Sequence, residues 1–394
     1  MKKNILFLFI FILAFVMLGS CNKKEEASND VVKVAVITSM SGSSTRMAEI
    51  YDISVKAAMR AIEADKTLNH YTLDFQWVDD KGTVDGAPPA ANLALDQIRC
   101  HVAIGHFLTI QCLASGPFFE ERKVPLLGIV SGPAAVSQGF EYFCMETATD
   151  LFQADTLLEY LVEERGLQRF GLIHINTEGG MSAADRVEET LQKKYNLKVV
   201  TRDAMTNDDN DFTAQVLKMR AGNAQAVIFW GMDVAVGAVL HRQIEQMWGR
   251  IPEDILFTGG TNLAQVQVTQ AFSEEDIAGI VFPSAFIPSN EPHVVRFMKD
   301  VKELDPLHMD AGDVGARVYD SVYHIVHALN SLGPYNTNAP DFPDKLNTAL
   351  RKAKFTGVQG QFDFGAWDNG IGLSKTNVGI WHSNYTQEKI YSGK

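Results

Sequence analysis

From Val31 onward one pattern repeats: a short apolar run rich in β-branched residues, then a segment whose apolar side chains recur every three or four positions. Val31–Ser39 is the first run, broken by Met40-Ser41-Gly42, and Arg46–Ala64 then carries helical spacing through Ile50, Ile53, Ala57, Ala58 and Ala61. Tyr71–Val78 alternates as a strand, Asp79-Asp80-Lys81-Gly82 turns, and Pro89–Ile98 is helical. Strand, helix and strand in strict alternation specify a parallel sheet that needs helices on both faces. An α/β fold is therefore expected.

The stretch Cys100–Ser137 continues the pattern and adds chemistry. Val102–Leu108 and Val124–Val130 are too short for helices, each leads into a small polar residue, Thr109 or Ser131, and Cys112–Glu121 is helical. Ligands of open parallel sheets collect beyond the carboxyl ends of the strands, where the first turn of the next helix also leaves N–H groups unpaired for an anion. A single Ser or Thr there is ordinarily a cap or a turn residue. Two in consecutive units make Thr109 and the Ser131-Gly132 loop candidate binding groups.

After Asp150 the alternation restarts. Asp150–Glu164, Met181–Tyr195, Asp211–Arg220 and Val234–Trp248 read as helices between strands at Phe170–Ile175, Leu197–Arg202, Ala226–Trp230 and Ile255–Thr258. A strand near Ile277–Pro283, helices at His293–Leu304, Asp313–Leu332 and Phe342–Ala353, and short strands around Gly360–Phe364 and Val378–Trp381 follow. With 394 residues and 46% hydrophobic content the chain has enough material for two cores, so a second lobe of the same architecture is expected.

Lys2 and Lys3, the apolar run Ile5–Leu18 and Gly19-Ser20 have the order of an export signal. Leu18-Gly19-Ser20-Cys21 resembles the lipobox of bacterial lipoproteins, which implies removal of residues 1–20, a lipid on Cys21 and a polar linker over residues 21–30. The mature body is then expected on the outer side of a membrane, tethered to the cell envelope, with no membrane-spanning helix of its own. The formal charge of −13 repels phosphate backbones, so nucleic acid is excluded as a partner. Cys100 and Cys112 bracket a predicted strand that would hold them apart, and with Cys144 they leave an odd count, so no bridge is expected between that pair.

Several constellations invite chemistry and are discounted. Cys100, His101, His106 and Cys112 match no zinc spacing, and Asn207–Asp211 lacks the glycine and distal glutamate of a calcium loop. Tyr323, His324 and His327 lie on a helix that packs on the sheet and read as core residues. No nucleophile elbow, phosphate loop or His-Glu-x-x-His is present, so neither a catalytic residue nor a metal or cofactor is expected.

The order Val34-Ala35-Val36 with Met40-Ser41-Gly42, Ile104-Gly105-His106, Asp211-Phe212, Tyr319-Asp320 and Phe355-Thr356-Gly357-Val358-Gln359-Gly360-Gln361-Phe362-Asp363-Phe364 resembles the type I periplasmic binding proteins, in particular the leucine/isoleucine/valine-binding family that feeds ABC importers. The resemblance spans about Val32 to Trp381. It implies two Rossmann-like lobes joined by a three-stranded hinge, with crossings near Asp150, Phe286 and Gly360. Lobe one would hold residues 31–149 and 287–360, and lobe two residues 150–286 and 361–394.

By the same resemblance Thr109 takes the place of the hydroxyl that binds a ligand carboxylate, and Met47 falls near the apolar residue that covers the ligand. The loop from Ser131 to Val136 supplies further contacts, through Ser131 and Gly132 in one register or Ala134 and Val136 in the other. Thr261 stands where branched-chain amino acid binders carry a glutamate for the ammonium, and Glu178-Gly179-Gly180 where they carry an aromatic. Glu178 and Asp233, just beyond predicted strand ends, are candidates to restore that charge, with Trp230 closing the site. The expected function is capture of a small polar or zwitterionic solute for an ABC permease. The alternatives are a sensor of the same fold that signals to a membrane partner, and an exported hydrolase, against which the missing nucleophile motif counts.

Overall fold

The computed structural model describes residues 30–394 except 43–44, 232, 252, 265–270, 274–275, 277–278, 306–311, 367–368, 383–388 and 392–394. The export signal, the lipobox with Cys21 and most of the linker lie outside the described residues.

Five parallel strands form the first sheet: β1 (Asp30–Thr38), β2 (Tyr71–Asp79), β3 (Val102–Ile104), β4 (Leu126–Gly128) and β5 (Phe143–Met145), in the order β2-β1-β3-β4-β5. The order reverses between β1 and β3, and crevices of parallel sheets form at such a point. Helix α1 (Arg46–Asp65) buries Met47, Ile50, Tyr51, Val55, Ala58 and Ile62 along one face, as its spacing predicts. Helix α2 (Ala87–Asn92) runs on as a π-helix to Ile98; α3 (Thr109–Arg122) and the single turn α4 (Ala134–Ser137) complete the set.

The second sheet holds β6 (Phe170–Ile175), β7 (Thr201–Met205), β8 (Ala226–Trp230), β9 (Leu256–Gly259) and β10 (Val281–Ser284), joined to one another in parallel. Its helices are α5 (Asp150–Glu159), α6 (Glu178–Tyr195), α7 (Thr213–Ala221) and α8 (Val234–Met247). Three further helices, α9 (Pro292–Leu304), α10 (Gly312–Leu332) and α11 (Phe342–Leu350), return to the first lobe, where α9 and α10 pack on α1. A hairpin of β11 (Lys354–Gly357) and β12 (Gly360–Asp363) follows, then β13 (Gly379–His382), antiparallel to β10, and β14 (Lys389–Tyr391). No helix among the described residues is long and apolar enough to cross a membrane.

The third crossing differs from expectation. Phe362, Phe364, Leu373 and Val378 are buried in the same core as β1 and α10, so the chain leaves lobe one after Val378 and not at Gly360. The reason is packing: Phe362 stacks on Phe355 with ring centroids 4.6 Å apart, which holds β12 to lobe one. Strands β3 and β4 are also shorter than their apolar runs, and Thr109 is the first residue of α3, not the end of a strand.

A buried polar network fills the junction. Glu146, in the first crossing, meets His324 of α10 at 2.8 Å, and His324 also donates to the carbonyl of Leu350 at 2.9 Å. Asp320, one turn earlier, accepts from the backbone N–H groups of Val358 and Gln359, while the Gln359 amide reaches the carbonyl of Glu146. His324 lies flat on Phe364 at 4.0 Å, the core role expected for it.

Candidate ligand-binding site

Two strand ends of lobe one deliver the first groups. The chain leaves β3 through Gly105, whose φ of +137° and 2.3 Å approach of a notional Cβ to the Ile37 carbonyl admit only glycine. It then enters α3 with Thr109 at the first helical position, where N–H groups have no intrahelical acceptor. Beyond β4 the loop Ile129–Pro133 brings Gly132 against Thr109: a Cβ there would sit 2.4 Å from the Thr109 Oγ1. Glycine at this point sets the spacing between the two loops.

Ser131 faces the start of lobe two. Its carbonyl accepts the Asp150 N–H at 2.9 Å, and its hydroxyl lies near enough to the Asp150 carboxyl to favour the ionised form. Burial pushes the Asp150 carboxyl up to about 6; Ser131 and the Arg317 charge oppose that rise, and the charges of Asp313 and Glu178 add to it. The four charged groups thus share one region, although the sequence separates Asp150 from Arg317 by a whole lobe.

Arg317 of α10 was not foreseen. It is buried and pairs with the buried carboxylate of Asp313 one turn earlier, which also accepts a 3.0 Å hydrogen bond from Ser284. Its Nη1 donates to the Ile129 carbonyl and its Nη2, the nitrogen beside Asp313, to the Thr261 hydroxyl, each at 3.5 Å, so it touches the β4 loop of lobe one and the β9 loop of lobe two together. Its Nε, like the hydroxyl of Tyr51 on α1, is buried without a hydrogen-bond partner among the described residues. The phenol of Tyr51 is pushed well up by burial first, then by Asp80 and Cys112, and Arg317 is the group that counters them. An arginine between the buried Ala316 and Val318 was the available signal for this site, because a guanidinium is seldom buried without a purpose.

The remaining expected residues are placed as follows. Met47 is buried on α1, one turn before Tyr51. Trp230 ends β8 inside the second core, and Asp233 caps α8 by accepting the Ala235 N–H at 2.8 Å. Glu178 opens α6 on the surface beside Leu151, Ser182 and Arg186, with its carboxyl raised by partial burial. No hydrogen bond among the described residues joins Trp230 or Asp233 to the Thr109–Asp150 group. Ala134 and Val136 lie on the turn α4, with Ala134 buried.

The discounted metal constellation is dispersed. His101 accepts from the Lys33 N–H at 2.9 Å, and His106 is paired with the buried Asp80 at 2.7 Å. Burial strongly raises the Asp80 carboxyl, but His106, Gly82 and Ser39 outweigh it and hold the group below its ordinary value. Cys100, Cys112 and Cys144 are free and buried, and burial pushes the first two thiols up to about 12.

Comparison with known proteins agrees with this fold. A family model described as periplasmic binding protein matches residues 31–376. The Leu/Ile/Val-binding protein of Escherichia coli K12 is 24% identical over 361 residues, covering 90% of this chain and 92% of its own. A leucine binding protein from Thermotoga maritima superposes with a TM-score of 0.77 at 19% identity, over 92% of this chain and 99% of its own. A solute binding protein from Rhodopseudomonas palustris in complex with 4-hydroxybenzoate superposes with a TM-score of 0.76 at 14% identity, over 93% and 96%. The chain belongs to the periplasmic binding protein family, extracytoplasmic solute-binding proteins rather than enzymes, and has the type I fold of its Leu/Ile/Val-binding relatives.

Proposed function

We propose that this protein captures a small zwitterionic solute, an amino acid or a close relative, between its two lobes and delivers it to an ABC importer from a lipid anchor on Cys21. The observation that carries this reading is the convergence of Thr109, the Ser131-Gly132 loop and Asp150 on Arg317, which also reaches Thr261 across the crevice. The α3 N-terminus and the Thr109 hydroxyl suit a carboxylate. Asp150, Asp313 and Glu178 outnumber Arg317, so the region carries spare negative charge for an ammonium, in place of the glutamate that Thr261 replaces. A ligand that touches both sides stabilises the closed arrangement in proportion to its preference for it, and the permease reads that state.

A thermal-shift screen of amino acids, amides and aromatic acids tests the reading, since a ligand that binds only the native state raises Tm. An amino acid hit is expected. A shift with aromatic acids alone, or with none of these classes, overturns the zwitterion assignment.

Two variants of the measurement probe the site itself. Thr109→Ala is expected to weaken the hit by roughly ten- to a hundredfold, the value of one hydrogen bond to a carboxylate, with Tm in the absence of ligand unchanged. Calorimetric affinities that match the parent would remove Thr109 from the site. The raised Asp150 carboxyl gives a signed pH dependence. An ammonium bound beside it favours the ionised form, so affinity is expected to rise roughly three- to tenfold between about pH 5 and about pH 7.5. A purely anionic ligand is repelled by the same ionisation, and its affinity falls over that range.

A further inference from the structure

His241 and Glu245 stand one turn apart on α8, on one face of the helix, and Asp276 of the segment between β9 and β10 comes up against them. Each offers one ligand atom, and the three atoms lie within 4.8 Å of one another. The imidazole is the unusual member. It is fully buried, edge-on to Phe257 and Phe272 at 5.3 Å each, and neither ring nitrogen has a hydrogen-bond partner among the described residues. A buried donor or acceptor left unsatisfied costs about 1–3 kcal/mol, and a ring kept only for packing would be better made as phenylalanine.

We infer that lobe two carries a divalent transition-metal site, of the kind that takes zinc, formed by His241, Glu245 and Asp276. The Nδ1 of His241 lies 3.8 Å from a Glu245 oxygen, too long for a hydrogen bond. Two atoms that share one tetrahedral ion at about 2.0–2.2 Å each stand roughly 3.3–3.6 Å apart, so a shift of a few tenths of an ångström brings this pair to bonding distance. A neutral imidazole and two carboxylates make a neutral complex with a divalent ion, and water completes the tetrahedron.

The partners already present are compatible with this. Glu245 accepts the Ile251 N–H through its other oxygen at 3.4 Å, which orients the carboxylate. Asp276 and Ser273 cap one another, with the Ser273 N–H on an Asp276 oxygen at 3.2 Å. The neighbouring Arg242 guanidinium is directed at the Ala271 carbonyl at 3.3 Å. A metal there would clip α8 to the segment that follows β9, a role in holding lobe two rather than in ligand capture.

Zinc titration of the metal-stripped full chain by calorimetry, paired with Tm in zinc and in chelator, tests the site. One zinc ion per chain is expected, with a Tm rise of at least about 3 °C at saturation. Glu245→Gln and Asp276→Asn are each expected to weaken zinc at least about tenfold. His241→Phe keeps the ring volume and removes both nitrogens, so it should match or exceed the parent Tm in chelator and gain nothing from zinc. Cobalt in place of zinc should show the visible absorption of a tetrahedral site in the parent and not in His241→Phe. Absence of stoichiometric zinc, or zinc affinity unchanged in Glu245→Gln and Asp276→Asn, overturns the proposal. Response to the solute that raises Tm is expected to persist in all three variants, so a failed metal test leaves the solute reading standing and the reverse holds as well.

Discussion

Asp320→Ala is expected to lower stability by about 2–5 kcal/mol and Tm by about 5–15 °C, measured by denaturant and thermal unfolding. The carboxylate accepts the backbone N–H groups of Val358 and Gln359 at 2.8 and 3.0 Å and the Gln359 amide at 3.1 Å. Both residues are buried, so without Asp320 their N–H groups lose their acceptor where water cannot replace it. Each orphaned donor costs about 1–3 kcal/mol, and no repacking supplies a second acceptor. The turn is fitted to this one side chain: a Cβ at Gly357 would lie 2.4 Å from an Asp320 oxygen. Through Gln359 the same turn holds Glu146 in the first crossing, so the loss should also loosen the junction between lobes. A variant as stable as the parent would mean that the turn is held by its own hairpin and that the network is incidental.

Arg317→Met should cost about 3–5 kcal/mol and abolish binding of whichever solute raises Tm. The larger part of that cost lies in what is left behind. Asp313 is buried, and its carboxylate would lose the guanidinium that neutralises it, keeping among the described residues the Ser284 hydroxyl. A cycle with Asp313→Asn separates stability from function. The double variant Asp313→Asn/Arg317→Met removes both members of the buried pair and is expected to recover most of the lost stability, because such a pair contributes little net once its desolvation is counted and Asp150, left without the Arg317 charge, can take up a proton. Solute binding should stay lost in the double variant. If the double variant binds as tightly as the parent, Arg317 supports the fold only and the site lies elsewhere.

Much of the architecture was legible because it is local. The period of apolar side chains identified α1, α6, α8 and α10 and the central strands, since those periods are geometric properties of helices and strands themselves. Caps are local too, as each reads N–H groups two or three residues on, yet Asp233, read from the sequence as a ligand charge, caps α8 through Ala235, and Thr177 caps α6 through Gly180. Strands of three residues were not. Phe143–Met145 is a strand only because Leu126–Gly128 pairs with it, and β14 only because β13 does. The end of lobe one was misplaced on similar grounds: whether Phe362 belongs to one core or the other depends on Phe355 and α10, not on its neighbours in the chain.

By itself the amino-acid order determined that two βα-alternating bodies would form, that Thr109 and Ser131 would follow consecutive strands of the first, and where turns such as Met40-Ser41-Gly42 and Asp79-Asp80-Lys81-Gly82 would break the pattern. Only the tertiary structure decided that Arg317 meets the Ile129 and Thr261 loops, that Asp150 rests on Ser131, and that His241 comes to lie against Asp276. The physical reason is reach. Backbone conformation answers to side chains within about one helical turn, whereas a charge or a ring is assigned its partners by the sheets that carry it, and those are closed by contacts hundreds of residues apart.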